Sequence, residues 1–528
     1  MGDGVGRWRA GAEGSGPLCK SGSPTRRAAP AGWRLGVAGW SRPAAGEDGL
    51  GSLPPGRIAN PPTDLPPTPH PPPRAKRAMT DCDCLILGGG AVGLACASVL
   101  AARGIDVQVV DPRPAAGGVM QSERVDGYLL ERGPNSTLNT SLRVERWLAE
   151  LGTTAARCFG PAAAARRYIL RAGGLCALPT SAAAFLRTPA WSLRGKLRLM
   201  AEPLIPRRRA TTEECLADFV RRRLGQEGLD YALDPFVSGV YAGDPARIAI
   251  DAAFPMMVGF ERDHGSLVIG MIRTARARRA DPDRPANRAL YAFQEGMQQP
   301  MHVAAARLGE RLHLGQRAER VVAEGARLRV EGEGFTLTAR RVVCATPAYV
   351  AAELLAPLSA EAARWLREIE HNPVAQVYLG YRRAQVGHPL DGFGALFPSK
   401  EGKLTLGSLW SSTLFPGRAP AGHCLLTNFA GGARHPEIRD LAPATIQERV
   451  VEELTPLLDL RGAPAFAQVQ VLPRAIPHYT LGHTARIQAI ERALSAYPTL
   501  HLTGNYLLGI SVSDCWKRGL LLGDRLAG

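Results

Sequence analysis

The sequence predicts an α/β protein organised on a parallel sheet, and three stretches carry that prediction. Residues 81–111 run as apolar strand, glycine turn, helix, second apolar strand and acid. Val342-Val343-Cys344-Ala345, followed by Thr346-Pro347, is a further buried strand ending in a turn. Between residues 365 and 480 apolar and polar residues alternate in short runs, such as Val374 to Tyr381 and His423 to Phe429. That alternation is the pattern of an antiparallel sheet.

Cys82 to Leu87 supplies the first strand, and Gly88-Gly89-Gly90-Ala91-Val92-Gly93 follows as G-x-G-x-x-G. Leu94 to Arg103, rich in Ala and Leu, predicts a helix that Gly104 stops. Ile105 to Val110 is the second strand, and it ends on Asp111. Gly88 permits a tight turn, Gly90 lets the backbone approach a pyrophosphate, and Gly93 lets the helix lie close to the sheet. The phosphates then meet free N–H groups at the helix N-terminus, where Ala91 and Val92 stand. Asp111, about 20 residues on, is placed to accept hydrogen bonds from ribose hydroxyls. The glycine pattern alone would be a weak signal. With both strands and the acid in place it predicts a Rossmann-type dinucleotide-binding domain.

Gly117-Gly118 follow the acid, and the chain continues through Gln121-Ser122-Glu123-Arg124 to Tyr128-Leu129-Leu130-Glu131-Arg132-Gly133-Pro134-Asn135-Ser136. On these residues the chain resembles the flavin-containing amine oxidase superfamily, and within it the oxygen-dependent protoporphyrinogen oxidase family. The resemblance implies FAD as the dinucleotide, with Gly88, Gly89, Gly90, Ala91, Val92, Gly93, Asp111, Gly117, Gly118, Val119, Gly133, Pro134, Asn135 and Ser136 around it. Val119 stands where many superfamily members have Arg directly after the doublet, which sets the chain apart from typical amine oxidases and leaves the local flavin contact open.

The resemblance spans Asp81 to Gly528 and implies an amine-oxidase-like division. Residues 79–141, 286–350 and 491–528 form the FAD-binding domain. Residues 142–285 form a helical, substrate- and membrane-contacting region. Residues 351–490 form the antiparallel sheet of an α+β substrate domain. Residues 1–78 are expected to be a disordered or non-native extension, rich in Gly, Pro, Ala and Arg and without a signal-type apolar core, with Met79 as the natural start.

The formal charge is +16, of which +6 falls in residues 1–78 and +10 in the rest. A basic body suits an anionic partner. Nucleic acid is not expected as that partner, because aromatics make up only 6% and no basic–aromatic stripe occurs. The ten cysteines are scattered, which predicts buried reduced thiols in a reducing, cytoplasmic setting, neither disulfides nor a metal site. No apolar run reaches the roughly 18 residues that span a bilayer. Trp191 to Arg209 instead predicts a basic amphipathic stretch, with Leu193, Leu197, Met200 and Leu204 at helical spacing among Arg194, Lys196 and Arg198. It reads either as a helix on an anionic membrane surface or as one packed on its own domain with a wet basic face.

Arg166-Arg167-Tyr168-Ile169-Leu170, Gly173-Gly174 and Leu178-Pro179-Thr180 predict a hairpin. Taken alone, Arg166-Arg167 reads as a solvated basic pair; the resemblance implies that Arg167 meets a substrate propionate, for which a guanidinium fork is suited. Thr212-Glu213-Glu214 reads as a helix start. Within Asp234-Pro235-Phe236-Val237-Ser238-Gly239, Gly239 is by itself a turn glycine. By resemblance it is a catalytic position over the substrate's reacting methylene, its carbonyl a candidate proton acceptor. Phe393, in Gly392-Phe393-Gly394, is by itself a core aromatic and by resemblance packs on a pyrrole ring. Phe293-Gln294-Glu295-Gly296-Met297 places Glu295 where the family has glycine, which is unstrained only at negative φ. Leu314 to Val322 reads as one strand, and Val321 is matched to a backbone contact with adenine. Leu502 to Cys515 resembles the family's final motif, which implies a strand running into a helix whose N-terminus faces the flavin ring, with Asn505, Ile510, Ser511 and Val512 matching flavin contacts. Cys515 lies past that loop, so the FAD is expected to be non-covalent. Ile476-Pro477-His478-Tyr479 and Leu481-Gly482-His483 also match the family pattern.

The implied reaction is oxidation of protoporphyrinogen IX by FAD, with dioxygen as acceptor and peroxide as product. Coproporphyrinogen III oxidation, an amine oxidase or carotene desaturase activity, and a non-catalytic flavin-binding membrane adaptor are the alternatives. A homodimer fits the resemblance; the residues themselves do not set the oligomeric state.

Overall fold

A computed structural model of the chain describes residues 81–161, 164, 166–209, 212–279, 285 and 289–528. The expectations for residues 1–78 and for Met79 lie outside the described residues.

Two seven-stranded sheets dominate. In the first, Cys82–Leu87 is central, flanked in parallel by Val107–Asp111 and by Phe335–Cys344. Leu312–Leu314 extends it beyond Val107–Asp111, and Leu500–Leu502 pairs in parallel with the end of Phe335–Cys344. An antiparallel meander, Ala318–Glu324 and Arg327–Gly332, completes the far edge. The central strand is buried almost throughout because helices cover both faces, which is why it reads as a continuous apolar run. Leu314 to Val322 is not one strand: Leu312–Leu314 and Ala318–Glu324 lie at opposite edges of this sheet. Gly315, at φ +69, turns the chain between them. Apolar periodicity runs through that turn and hides the break.

The second sheet has the order Phe466–Pro477, His371–Arg382, His423–Gly431, Thr405–Trp410, Gly394–Leu396, Tyr168–Arg171, Gly174–Ala177. The hairpin at 168–177 forms as expected, but it joins this sheet and not the helical region, through a parallel pairing of Tyr168 with Ala395. Short helices between Ala182 and Arg279 form the third part. Leu193–Met200 is helical, with Leu193, Leu197 and Met200 exposed, and Leu204 follows on a separate turn, so the amphipathic stretch is not one long helix. The expected start at Thr212-Glu213-Glu214 also shifts. The helix there is Leu216–Leu224, and Glu214 pairs with Arg208 and Arg222 instead of capping it.

The first helix, Ala91–Ala102, and the last, Val512–Leu526, pack along one another. A Cβ on Gly519 would stand 2.3 Å from the carbonyl oxygen of Val92, and one on Gly523 would stand 2.7 Å from Cβ of Val99. The two helices therefore run in the same direction at backbone contact, which only glycine permits. The nine described cysteines are all unpaired. Cys82 and Cys84 lie on the buried first strand, and burial pushes both thiols up to about 12.

Candidate active site

The glycine turn is built as its spacing predicts. Gly88 has φ +110, and a Cβ there would stand 2.9 Å from the Ala345 carbonyl oxygen. A Cβ on Gly93 would lie 1.9 Å from the Gly88 carbonyl oxygen. The doublet closes over the turn: the Gly117 N–H donates to the Gly89 carbonyl at 2.8 Å, and a Cβ on Gly118 would stand 2.9 Å from Cα of Gly90. Gly133 comes in from the third side, where a Cβ would lie 2.0 Å from the Val119 carbonyl oxygen. Three segments far apart in sequence thus meet backbone to backbone at one helix N-terminus.

Asp111 ends its strand buried. Its Oδ2 accepts the Gly89 N–H at 2.7 Å and its Oδ1 accepts the Arg113 N–H at 2.8 Å. Each carboxylate oxygen keeps a second lone pair for a hydroxyl. Asp111 therefore fixes the glycine turn as well as standing ready for a ribose. Val119 is exposed. A cleft of about 330 Å³ beside it is lined by Arg113, Gly118, Val119, Arg132, Gln470 and Leu472, among others. It opens between the doublet loop and the edge strand Phe466–Pro477 of the second sheet.

Sequence reasoning used Glu131 only as part of the segment that carries the family resemblance, named no partner for it, and did not single out Arg418. Both are buried and their side chains lie 2.8 Å apart. Glu131 also accepts the Ser122 hydroxyl at 2.6 Å and the Met297 N–H at 3.0 Å. Burial nevertheless pushes its carboxyl above the ordinary range, against the pull of Arg418. The Glu131 carbonyl accepts the Tyr378 hydroxyl, and the Gly133 carbonyl accepts from Gln376. Residues 131–133 are thereby pinned to the second sheet, with Pro134, Asn135 and Ser136 half-buried behind them. An acid closing the apolar run Tyr128–Glu131 was the available signal; its partner could not be read from the sequence. Glu295 is not among the residues with positive φ, so it replaces glycine without backbone strain.

The last helix completes this corner. Gly519 lies level with Val92, so the seven residues back to Val512 carry its N-terminus about 10 Å past the first helix. Ser511 caps it by accepting the Asp514 N–H at 3.1 Å, and the Ser513 and Thr140 hydroxyls are 2.8 Å apart. Two parallel N-termini, one set back from the other, face the same side. The first suits a pyrophosphate and the second a ring edge that takes on negative charge when it is reduced. Asn505, Ile510 and Val512 are half-buried along the approach to that second N-terminus. Cys515 is on the helix and buried, with its thiol pushed up to about 12, so it is no nucleophile. The cradle a Cβ would fill, the buried acid and the two helix ends together fit FAD. Val321 is fully buried on the edge strand Ala318–Glu324, opposite Val330.

On the other side, Arg167 and Phe393 meet. The guanidinium carbon lies 5.2 Å from the centre of the ring. Burial alone shifts Arg167, downward, and no carboxylate pairs with it among the described residues. Its neighbour Arg166 is drawn away by Asp391, which also accepts the Tyr168 hydroxyl at 2.7 Å. The Phe393 N–H donates to the Arg166 carbonyl at 2.7 Å, which fixes the alignment. Gly239 is not in a turn: it lies in the helix Asp234–Tyr241, where a Cβ would stand 2.5 Å from Cδ2 of Leu396. Arg167 and Phe393 are thus brought together, while Gly239 packs on Leu396, three residues beyond Phe393.

The fold and site define a flavin-dependent oxidoreductase. A family model of flavin containing amine oxidoreductases matches residues 92–525, and the chain belongs to that family. Among its relatives is the chloroplastic protoporphyrinogen oxidase of Oryza sativa subsp. japonica, 34% identical over 84% of this chain and 88% of that protein. The coproporphyrinogen III oxidase of Bacillus subtilis (strain 168) is 28% identical over 82% of this chain and 96% of its own length. In fold, the chain is similar to a putative protoporphyrinogen oxidase from Exiguobacterium sp. 255-15, with a TM-score of 0.72 at 22% identity, covering 85% of this chain and 99% of that one. The cofactor is FAD.

Proposed function

We propose that this chain oxidises protoporphyrinogen IX to protoporphyrin IX in tetrapyrrole synthesis, with dioxygen as final acceptor and peroxide as product. The observation that carries the reading is Arg167: a half-buried guanidinium that pairs with no carboxylate among the described residues and lies over an aromatic ring. A buried unpaired cation is costly. A tetrapyrrole bearing propionates supplies the missing anion, and its individual pyrrole rings supply a stacking partner. Bound FAD supplies the hydride acceptor; the chain's residues orient the substrate. Arg167 would anchor a propionate and Phe393 would stack on a pyrrole; the role of Gly239 at the reacting carbon rests on the resemblance, since Leu396 takes the space its missing side chain leaves. Each of three two-electron oxidations consumes one dioxygen and releases one peroxide. The FAD is held without a covalent bond.

Anaerobic mixing of the FAD-loaded protein with protoporphyrinogen IX tests this. Rapid loss of the oxidised-flavin absorbance, restored by air with release of peroxide, is expected. Faster bleaching by coproporphyrinogen III would move the enzyme to the other substrate that the Bacillus relative's name carries, and no bleaching with either would overturn the reading.

A peripheral position on an anionic membrane surface, on its cytoplasmic side, is the second part of the proposal. Leu193 and Leu204 are 73% and 82% exposed, and Arg194, Arg207 and Arg209 stand exposed around them. Among the described residues no helix is long and apolar enough to cross a membrane. Flotation with anionic but not zwitterionic vesicles is expected, and sedimentation would separate a monomer from a homodimer.

A further inference from the structure

Residues 478–483 form a bracket against the flavin-facing loop. Tyr479 and His483 are both 2% exposed and their rings stack, with centroids 4.3 Å apart and planes 16° apart. Each ring ends in a donor, and the two donors take consecutive carbonyls. The Tyr479 hydroxyl donates to the Asn505 carbonyl, and His483 Nε2–H donates to the Tyr506 carbonyl at 2.9 Å. A carbonyl only accepts, so the proton sits on Nε2, and Nδ1 is left buried without a partner.

The bracket is itself tied down on its outer side. Ala249 N–H donates to the Tyr479 carbonyl at 2.8 Å, Gly482 N–H to Glu213 at 2.6 Å, and His478 N–H to the Glu370 carbonyl at 2.8 Å. It therefore joins the helical region, the second sheet and the flavin-facing loop. Between Leu502 and Val512 that loop has no regular structure of its own, and Gly504 and Gly509 have φ of +156 and +76. Its backbone must be set from outside. Fixing two successive carbonyls fixes two peptide planes, and with them the direction of the N–H groups on the far side of each plane.

We propose that Tyr479 and His483 are positioning residues that set the backbone of residues 505–511, and so how firmly and in what hydrogen-bonding environment the flavin ring is held. The inference rests on the placement of that ring against this loop. The stacking holds both donors at one spacing, so the pair acts as a unit.

The test uses full-length, FAD-loaded protein carrying Tyr479→Phe, His483→Ala or His483→Gln, with Asn505→Ala as a probe of the loop itself. FAD release on dilution, the flavin absorption band, the flavin midpoint potential and the protein melting point are read. Tyr479→Phe and His483→Ala are expected to release FAD about fivefold faster, the effect of one hydrogen bond, and to shift band and potential. His483→Gln, which keeps an N–H donor, is expected to stay closer to the parent. Parent-like release, band and potential in both donor-deleting variants, with Asn505→Ala altered, would overturn the inference while leaving the flavin placement intact. Parent-like behaviour in Asn505→Ala as well would overturn the placement and the inference with it. A fall in melting point with band and potential unmoved would show a merely structural pair and also overturns it. If His483→Ala does not fold, Tyr479→Phe and His483→Gln decide.

Discussion

Arg167 lies over Phe393 with its guanidinium carbon 5.2 Å from the ring centre, while the adjacent Arg166 is paired with Asp391. Two neighbouring cations thus have opposite surroundings. Arg166 points to solvent and is neutralised. Arg167 turns inward onto an aromatic face and keeps its charge for something else. The hydrogen bond from the Phe393 N–H to the Arg166 carbonyl holds that division in place.

Arg167→Leu is expected to raise KM for the porphyrinogen by about 10- to 100-fold, the range for losing hydrogen bonds to a charged group, with FAD content unchanged. Arg167→Lys should fall between, since an ammonium keeps the charge and loses the planar fork. Steady-state kinetics at known flavin occupancy checks both; an unchanged KM in Arg167→Leu would remove Arg167 from the substrate site.

Gly93→Ala is expected to yield protein without FAD. The new Cβ would fall 1.9 Å from the Gly88 carbonyl oxygen, and that oxygen belongs to the backbone of the turn itself, which has no flexible end to swing aside. The ratio of flavin to protein absorbance after purification reads this directly.

Arg418→Met should destabilise the fold by about 3 kcal/mol or more, because it leaves the Glu131 carboxyl buried without its cation. Arg418→Met combined with Glu131→Gln should recover part of that loss, since no charge is then stranded. Denaturant midpoints of the three proteins test the coupling.

Acid should weaken the protein through its buried imidazoles. Burial lowers His371 and His483 from 6.5 to about 4, and lowers His478 as well. On acidification the unfolded chain binds these protons first. Their contribution to stability is therefore complete above pH 6.5 and is lost as pH falls from 6.5 to about 4. Unfolding midpoints on either side of that window should fall with pH, and His371→Gln should flatten the slope.

What the sequence disclosed divides along physical lines. The glycine cradle was legible because turn, helix start and strand ends are written in adjacent residues, from Cys82 to Asp111. Asn505 and Ser511 could be placed by their motif, because a strand, a loop and a capped helix again follow one another. The partnership of Glu131 with Arg418 was not legible. Local order says only that an acid ends a buried strand, and nothing near it names the cation. The break between Leu314 and Ala318 was hidden for a related reason: which sheet edge a short apolar run joins is decided by distant partners, here Asp111 on one side and Gly332 on the other. The 168–177 hairpin was predicted as a hairpin, yet its place in the second sheet depends on pairing with Ala395. Gly239 by itself reads as a turn glycine, because glycine usually marks one, whereas here it relieves a helix against Leu396; its catalytic placement comes from the resemblance alone.

The contact of Gly519 and Gly523 with Val92 and Val99 also bears on how the protein is made. The first helix of the described chain leaves the ribosome long before the last one, and the central sheet takes its strands from residues 82–111, 312–344 and 500–502. A nascent chain can form the glycine turn early but cannot close the groove beside it until residues 512–526 have been made. Firm cofactor capture therefore waits on that late segment, and until it arrives the flank of the first helix that it covers stays bare.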